Sequence, residues 1–322
     1  MSAMPPAARL RSAWRGIRRA QIRWARIPAN VRGGLWIVAS AALFTAMVAL
    51  IKLAGKTFHV TEILLFRQIF MLLLALPMVI RNYPDSLQTK RPDLQILRIA
   101  AAVLAMLLSF TAFIHLPLAE AITISFSRTF FITIFAILML HEIVGLRRWS
   151  AMIIGFCGVL FVAQPSVGAG MNVYGLMAIG GAACAALVMV IIRLMTRTDK
   201  PITILSYQAI GIGVLMIPPA LWFWKTPSLP QLALLAAIGV LAAIAQLCNI
   251  YGFRAAEASA TAPLDYTRLI WAILFGIILF GEWPSANVYA GALIIVAAGL
   301  FTMYREHQLG RQRKTKDAPP SV

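Results

Sequence analysis

The chain has 322 residues, of which 61% are apolar and only 12% charged, with a formal net charge of +18 and a mean hydropathy of +0.82. Soluble domains carry about a quarter charged residues to cover a wetted surface, so this composition excludes a soluble globule, and equally a disordered, collagenous or disulfide-stapled chain. Most of the exterior must face lipid. At about 20 residues per spanning helix the length accommodates roughly ten spans and no sizeable extramembrane domain.

In chain order, residues 1–32 form a tail with eight arginines (Arg9, Arg11, Arg15, Arg18, Arg19, Arg23, Arg26 and Arg32). A cleaved secretory signal has an apolar region of about 7–15 residues; the one that follows here is about 22 long, so the tail is expected to be retained. On a helical wheel Leu10, Trp14, Ile17 and Trp24 share one face with arginines opposite. That pattern suits a helix lying on anionic headgroups, and equally a disordered positive tail that only sets topology.

Apolar stretches of spanning length then follow at 33–54, 60–80, 95–116, 118–140, 148–164, 172–193, 201–223, 230–252, 260–281 and 286–304. Strands of a membrane barrel would alternate apolar and polar residues, whereas IVASAALFTAMVALI at 37–51 is apolar all round. Helices satisfy their own backbone hydrogen bonds in lipid. The expected fold is therefore an all-α membrane protein of ten transmembrane helices, with a tight junction at Pro117 between the third and fourth and a basic tail over 305–322.

The positive charge suggests nucleic-acid binding only until its placement is considered. If the N-terminus is cytoplasmic, 23 lysines and arginines fall on the inside, Lys52, Lys56 and Lys225 on the outside, and Arg67, Arg128 and Arg268 within spans. Positive residues concentrate in cytoplasmic segments, so both termini are expected inside and the chain in a plasma membrane, the bacterial inner membrane. No nucleic-acid partner is expected. Cys157, Cys184 and Cys248 are odd in number and lie in apolar stretches, which suggests packing residues and neither disulfides nor a metal site.

Shifting the chain against itself by 140 residues aligns SRTFFITIFAILMLHE (127–142) with TRLIWAILFGIILFGE (267–282), so that Arg128 meets Arg268 and Glu142 meets Glu282. A shift of 137 pairs Glu120 with Glu257. Two five-helix repeats, 33–164 and 172–304, are expected. Five is odd, so the second copy enters the membrane from the opposite side, and the halves are inverted repeats. Inverted repeats underlie alternating access, with the substrate near the midplane at their interface.

The ten-helix plan, the doubled five-helix unit, and the long apolar run ending in Glu142 in one copy and Gly281-Glu282 in the other resemble the EamA family of the drug/metabolite transporter superfamily. The resemblance covers roughly residues 33–304. It implies a transporter, and relatives are associated with amino acids, vitamins, nucleotide-type metabolites and toxic compounds. The chain departs from the family pattern at His141, where glycine usually precedes the glutamate. It departs again at Arg128-Thr129 and Arg268-Leu269, where relatives often carry proline.

A charge near the bilayer centre costs on the order of 2.5–3.5 kcal/mol on insertion scales, so such residues face a cavity or a partner. Arg67, Arg128, Asp265 and Arg268 are the candidates. Asp265 and Arg268 are three apart and share a helix face; either they form an ion pair that makes the helix insertable, or they belong to a substrate site. In the second case Arg128 and Arg268 hold a carboxylate or phosphate through the planar guanidinium fork, and Asp265 receives an amine or a proton. Tyr266, Trp271, Phe126 and Phe130 would wall the cavity, and Pro263 would free a backbone carbonyl beside it. Glu120 and Glu257 are candidates for gating or proton relay, or else interfacial caps.

No HExxH, GxSxG or GxxxxGK[ST] pattern occurs, so enzymatic chemistry and direct use of ATP are not expected. Nor is a metal or cofactor. The sequence points to a secondary active transporter of a small organic metabolite, anionic or zwitterionic (amino-acid-like or nucleotide- or vitamin-like), with protons as a candidate coupling ion. The alternative is a non-transporting multi-pass membrane protein, an assembly factor or receptor. Small residues such as Gly155 and Gly158 permit close helix contacts but do not fix an oligomeric state.

Overall fold

A computed structural model describes residues 28–84, 87–141, 146–163, 173–195, 198–255 and 262–316. Among them every regular element is helical: α1 (Ala29–Ala54), α2 (Val60–Arg81), α3 (Pro92–His115), α4 (Leu118–Ser125), α5 (Arg128–Leu140), α6 (Leu146–Ala163), α7 (Val173–Met195), α8 (Pro201–Trp222), α9 (Leu229–Ala255), a 3-10 turn (Ala262–Tyr266), α10 (Thr267–Phe280) and α11 (Ala286–Lys316). The expected amphipathic tail over 1–27, Glu142, Glu257 and the last six residues lie outside the described residues.

Five stretches are long and apolar enough to cross a membrane: Val31–Ala54, Pro92–His115, Leu118–Leu140 (α4 with α5), Val173–Met195 and Leu229–Gly252. Large apolar side chains such as Leu73, Ile80, Leu138, Val214, Ile278 and Leu293 stand exposed on the outer faces of helices. In water that surface would be untenable; in a bilayer it is the lipid face. The molecule is thus a multi-pass, all-helical membrane protein. α11 continues past the apolar Ala286–Phe301 stretch, carrying part of the basic tail to Lys316.

Helix ends follow the local chemistry. Proline at the first helical position starts α3 and α8, where its missing N–H is no loss. At the start of α2, Glu62 accepts the His59 N–H at 3.2 Å and, from across the fold, the Lys225 N–H at 2.7 Å. α10 ends on Gly281 in the left-handed region (φ 66°), the usual helix stop. α5 ends on the same conformation, but with His141 (φ 53°) in place of glycine. The departure seen in the sequence therefore leaves the backbone conformation of the cap intact.

The principal packing partners are α1 with α9, α3 with α7, α6 with α11, α2 with α8 and α9, α5 with α7, and α10 with α1. Close approach depends on small residues. A Cβ at Gly252 of α9 would lie 3.2 Å from the Gly33 carbonyl oxygen and 2.6 Å from Ile37 of α1, so a side chain there would wedge the pair apart. The main buried apolar cluster includes Ile51 of α1, Ile63 and Leu64 of α2, and Leu118, Ile122 and Ile124 of α4, all fully buried.

Candidate functional site

Two of the expected continuous spans are broken, and the breaks carry the charged candidates. The stretch 118–140 divides at Phe126-Ser127, where short-range bonds take over: Phe126 N–H to the Thr123 carbonyl (3.2 Å), Ser127 to Ile124 (3.0 Å), Thr129 to Phe126 (3.1 Å) and Phe130 to Ser127 (3.0 Å). Arg128 is the first residue beyond. The stretch around 262–280 opens as a 3-10 turn over Ala262–Tyr266 and becomes α-helical at Thr267, one residue before Arg268. The Thr267 hydroxyl takes up the Leu264 carbonyl at 2.6 Å. Tightened i→i+3 turns inside a helix commonly mark functional positions, and discontinuous helices form the substrate sites of many transporters.

At the second break Arg268 Nη2 donates to Asp265 Oδ1 at 2.8 Å; the two side chains are 13% and 26% exposed. The guanidinium lies 4.5 Å over the Phe44 ring of α1, a cation–π contact that favours keeping the charge there. Its Nε is buried without a hydrogen-bond partner. Arg128 comes within Coulombic range of Arg268 and has neither a hydrogen-bond nor an ion-pair partner among the described residues. The buried Ser127 hydroxyl beside it is likewise unpartnered. Phe126 meets Tyr266 at 5.0 Å between ring centroids, so the two breaks touch through their aromatic residues. The Tyr266 hydroxyl in turn reaches Gly299 of α11, filling the space a side chain there would need.

The structure thus brings Arg128, Asp265, Tyr266 and Arg268 together, with Phe126 and Phe44. Trp271 lies about a turn further along α10, stacked on Phe275 at 6.1 Å. Phe130 turns to α6, stacking on Phe156 at 4.4 Å. Arg67 stands apart: its contacts are Gln68, Met106 and Phe110, none of them shared with Arg268. Glu257 lies outside the described residues.

One cluster escapes sequence reasoning. Lys52, near the end of α1 and expected as a loop charge, is buried; its Nζ forms an ion pair with Glu282 and donates to the Leu116 carbonyl at 2.7 Å. The other Glu282 oxygen accepts the Leu118 N–H at 2.9 Å, and Nζ lies 5.1 Å over Phe280. Glu120 lies within Coulombic range of both Lys52 and Glu282. The only hint in the sequence is the single Lys52 one turn from the end of an otherwise apolar span; its partner is 230 residues away.

Among the described residues no group of three or more histidines, cysteines or acids could hold a metal ion. What the breaks offer is a guanidinium without a counter-ion among the described residues, a neutralised acid–base pair and two aromatic faces. These are means of binding an organic anion or zwitterion.

Comparisons with known proteins identify the family. The EamA-like transporter family matches residues 31–164 and again 173–304. An S-adenosylmethionine uptake transporter of Rickettsia bellii is 31% identical over 84% of this chain and 93% of its own length. A riboflavin transporter of Brucella anthropi is 28% identical over 85% and 99%, and a pseudopaline exporter of Pseudomonas aeruginosa 26% identical over 83% and 94%. A solved crystal structure shares the fold with a TM-score of 0.61 at 16% identity, covering 86% of this chain and 98% of the other. All three relatives are named as transporters and none as an enzyme, and the chain, matched twice along its length, belongs to the EamA-like transporter family, a membrane transporter of the drug/metabolite type.

Proposed function

We propose that the chain is a secondary active transporter that moves an anionic or zwitterionic metabolite by alternating access between two inverted five-helix repeats, residues 33–164 and 172–304. The ten spans then leave both termini in the cytoplasm of a bacterial inner membrane, as the distribution of lysine and arginine favours. Helix packing supports the repeat. Exchanging the first five spans for the last five converts the α1–α9 contact into α3–α7 and the α5–α7 contact into α10–α1, while α6–α11 and α2–α8 map onto themselves. The two breaks exchange as well, each placing an arginine in the first turn beyond.

The observation that supports the substrate reading is Arg128, a cation without a counter-ion among the described residues, beside the Asp265–Arg268 pair. A partly buried charge without a partner is unfavourable, and a carboxylate or phosphate on the cargo would supply the partner. In this reading Asp265 would receive an ammonium, and Phe126 with Tyr266, whose rings lie 5.0 Å apart, would lie against a flat ring. S-adenosylmethionine, the substrate named for the 31%-identical relative, combines an amino-acid head with an adenine ring, for which these charged and aromatic groups would be the counterparts. Arg67 and Trp271 complete the first choice of binding residues, and Glu120 and Glu257 remain the candidates for gating or proton relay. A receptor or assembly factor without transport would hold Arg128 against a fixed partner, and none is present among the described residues.

The test is uptake of radiolabelled S-adenosylmethionine, riboflavin and amino acids into proteoliposomes. Arg128→Ala and Arg268→Ala each reduce uptake of the accepted substrate at least about tenfold, since a charge-assisted hydrogen bond contributes roughly 1.5–3 kcal/mol. Uptake by both variants at the wild-type rate overturns the site. Uptake unaffected by collapsing a pH gradient rules out proton coupling.

A further inference from the structure

Arg67 lies eight residues into α2, about 10 Å along the helix from its start at the standard rise of roughly 1.5 Å per residue, and it is enclosed by α3 and α9. On the α9 side the backbones nearly touch, for a Cβ at Gly239 would come within 3.0 Å of the Arg67 carbonyl oxygen. Nη1 donates to Gln68 Oε1 at 2.7 Å and lies 3.9 Å from Met106 Sδ. The guanidinium carbon is 5.8 Å from the Phe110 ring centre. Nε is buried and makes no hydrogen bond, and neither Nη2 nor any other atom of the group meets a carboxylate among the described residues. The side chain nevertheless keeps part of its surface open.

The occupied and unoccupied donors divide in a telling way. Nη1 is committed to Gln68, whereas Nε and Nη2 have no hydrogen-bond partner among the described residues, and these two form the side edge of the guanidinium fork that grips a carboxylate or phosphate through two parallel hydrogen bonds. An amide oxygen, a thioether and a ring face offset only part of the cost of an enclosed cation; an anion is the missing element. The charge count agrees. Arg268 is neutralised by Asp265, but Arg67 and Arg128 are not neutralised by any described residue. Their neighbours lie on different helices, so the two excess charges call for two anionic groups held at separate points.

We propose that Arg67 is a second anion-binding site, separate from the Asp265–Arg268 pair, that grips a carboxylate or phosphate at the far end of the cargo, so that the preferred substrate carries two anionic groups. This rests on the substrate site proposed above and narrows its class to dianions, which excludes S-adenosylmethionine, with its single carboxylate, as the preferred cargo.

The test uses the full-length protein in neutral detergent. Ligand-induced thermal stabilisation is titrated with a series of α,ω-dicarboxylates from succinate to suberate, with the matching monocarboxylates, and with phosphate and chloride at equal ionic strength. The wild type binds one length of dicarboxylate at least about tenfold more tightly than the matching monocarboxylate, as one additional charge-assisted contact supplies. Arg67→Met abolishes that preference and leaves monocarboxylate binding in place. It also melts, without ligand, no lower than the wild type, because replacing an uncompensated enclosed charge by an apolar group of similar size removes a penalty. An arginine serving only the fold predicts the reverse: a lower ligand-free melting temperature with the dicarboxylate preference retained. That result overturns the proposal, as does a wild type without any dicarboxylate preference, or stabilisation by chloride equal to that of the best dicarboxylate and lost in Arg67→Met. Arg128→Met tests the first site independently: unchanged monocarboxylate binding in that variant refutes the Arg128 assignment while the Arg67 preference is still measured.

Discussion

The Lys52–Glu282 pair offers a quantitative test of how this bundle is held together. It joins the end of α1, the α3–α4 junction through the Leu116 carbonyl and the Leu118 N–H, and the residue after the α10 cap. Exposed ion pairs contribute about 0–1 kcal/mol, whereas removing one partner of a fully buried pair costs about 3–5 kcal/mol. With side chains 10% and 27% exposed, this pair falls between those limits. Lys52→Met should therefore cost about 2–3 kcal/mol, part of it from the Leu116 carbonyl left without its donor. Glu282→Gln should cost somewhat less, since the amide oxygen can still accept the Leu118 N–H. The double variant should be less damaging than the two singles added together, with a coupling energy of about 1–2 kcal/mol. Reversible unfolding of the four proteins in mixed detergent–SDS micelles measures each corner of the cycle. Strictly additive effects, with coupling below about 0.3 kcal/mol, would show that the contact does not bind the two halves.

Three other outcomes follow from the same geometry. Asp265→Asn strips Arg268 of its counter-ion and should lower stability by about 3 kcal/mol, whereas the Asp265→Asn/Arg268→Met pair should recover most of the loss; the same SDS titration compares them. His141 occupies a left-handed position at the end of α5 (φ 53°), where a side chain costs roughly 1 kcal/mol. His141→Gly should then stabilise the protein by about 0.5–1 kcal/mol, the relief being reduced by glycine's greater freedom when unfolded; a loss of stability would mean that the ring makes contacts worth more than the strain. In the loop between α7 and α8, burial by itself would push the Asp199 carboxyl up, but hydrogen bonds from the Thr89 hydroxyl and the Lys90 N–H (3.0 Å) outweigh it and hold the carboxyl below its ordinary value. A carboxyl depressed in the folded state contributes stability that is present above its unfolded pKa of about 4 and is lost as pH falls through the folded value. Thermal stability should therefore drop as pH is lowered from about 5 toward 3, and Asp199→Asn should flatten that part of the profile.

Helix positions were legible because hydropathy is a local property. Every apolar stretch from 33–54 onward corresponds to a helix or a pair of helical segments, with ends set by Pro92, Pro201 and Gly281. The pairing of Lys52 with Glu282 was not legible, since it depends on which helices end up adjacent, and that is decided by packing along the whole length of α1, α9 and α10. With the contact known, the sequence yields something more. Lys52 and Arg193 stand 141 residues apart, close to the 140-residue shift that relates Glu142 to Glu282, so a basic residue closes the first span of each repeat and an acid follows the fourth.

The breaks were only half legible, and the reason bears on function. Pro263 marks the second one, because a residue without an N–H cannot continue the α-helical ladder, and the chain there adopts a 3-10 turn. At the first break, residues 123–130 contain no proline or glycine, and helix propensity by itself would carry 118–140 through as one rod. What replaces the i→i+4 pattern is a set of i→i+3 bonds around Phe126 and Ser127, backed by the buried Ser127 and the contact of Phe126 with Tyr266 of the opposite break. Tertiary packing thus imposes on the first copy the conformation that proline favours in the second. Among the described residues Arg128, in the first turn beyond a distorted helix, has no counter-ion to stabilise it. Its retention in register with Arg268 makes sense if the two distortions meet a common ligand, and this is the strongest reason to place the cargo between them.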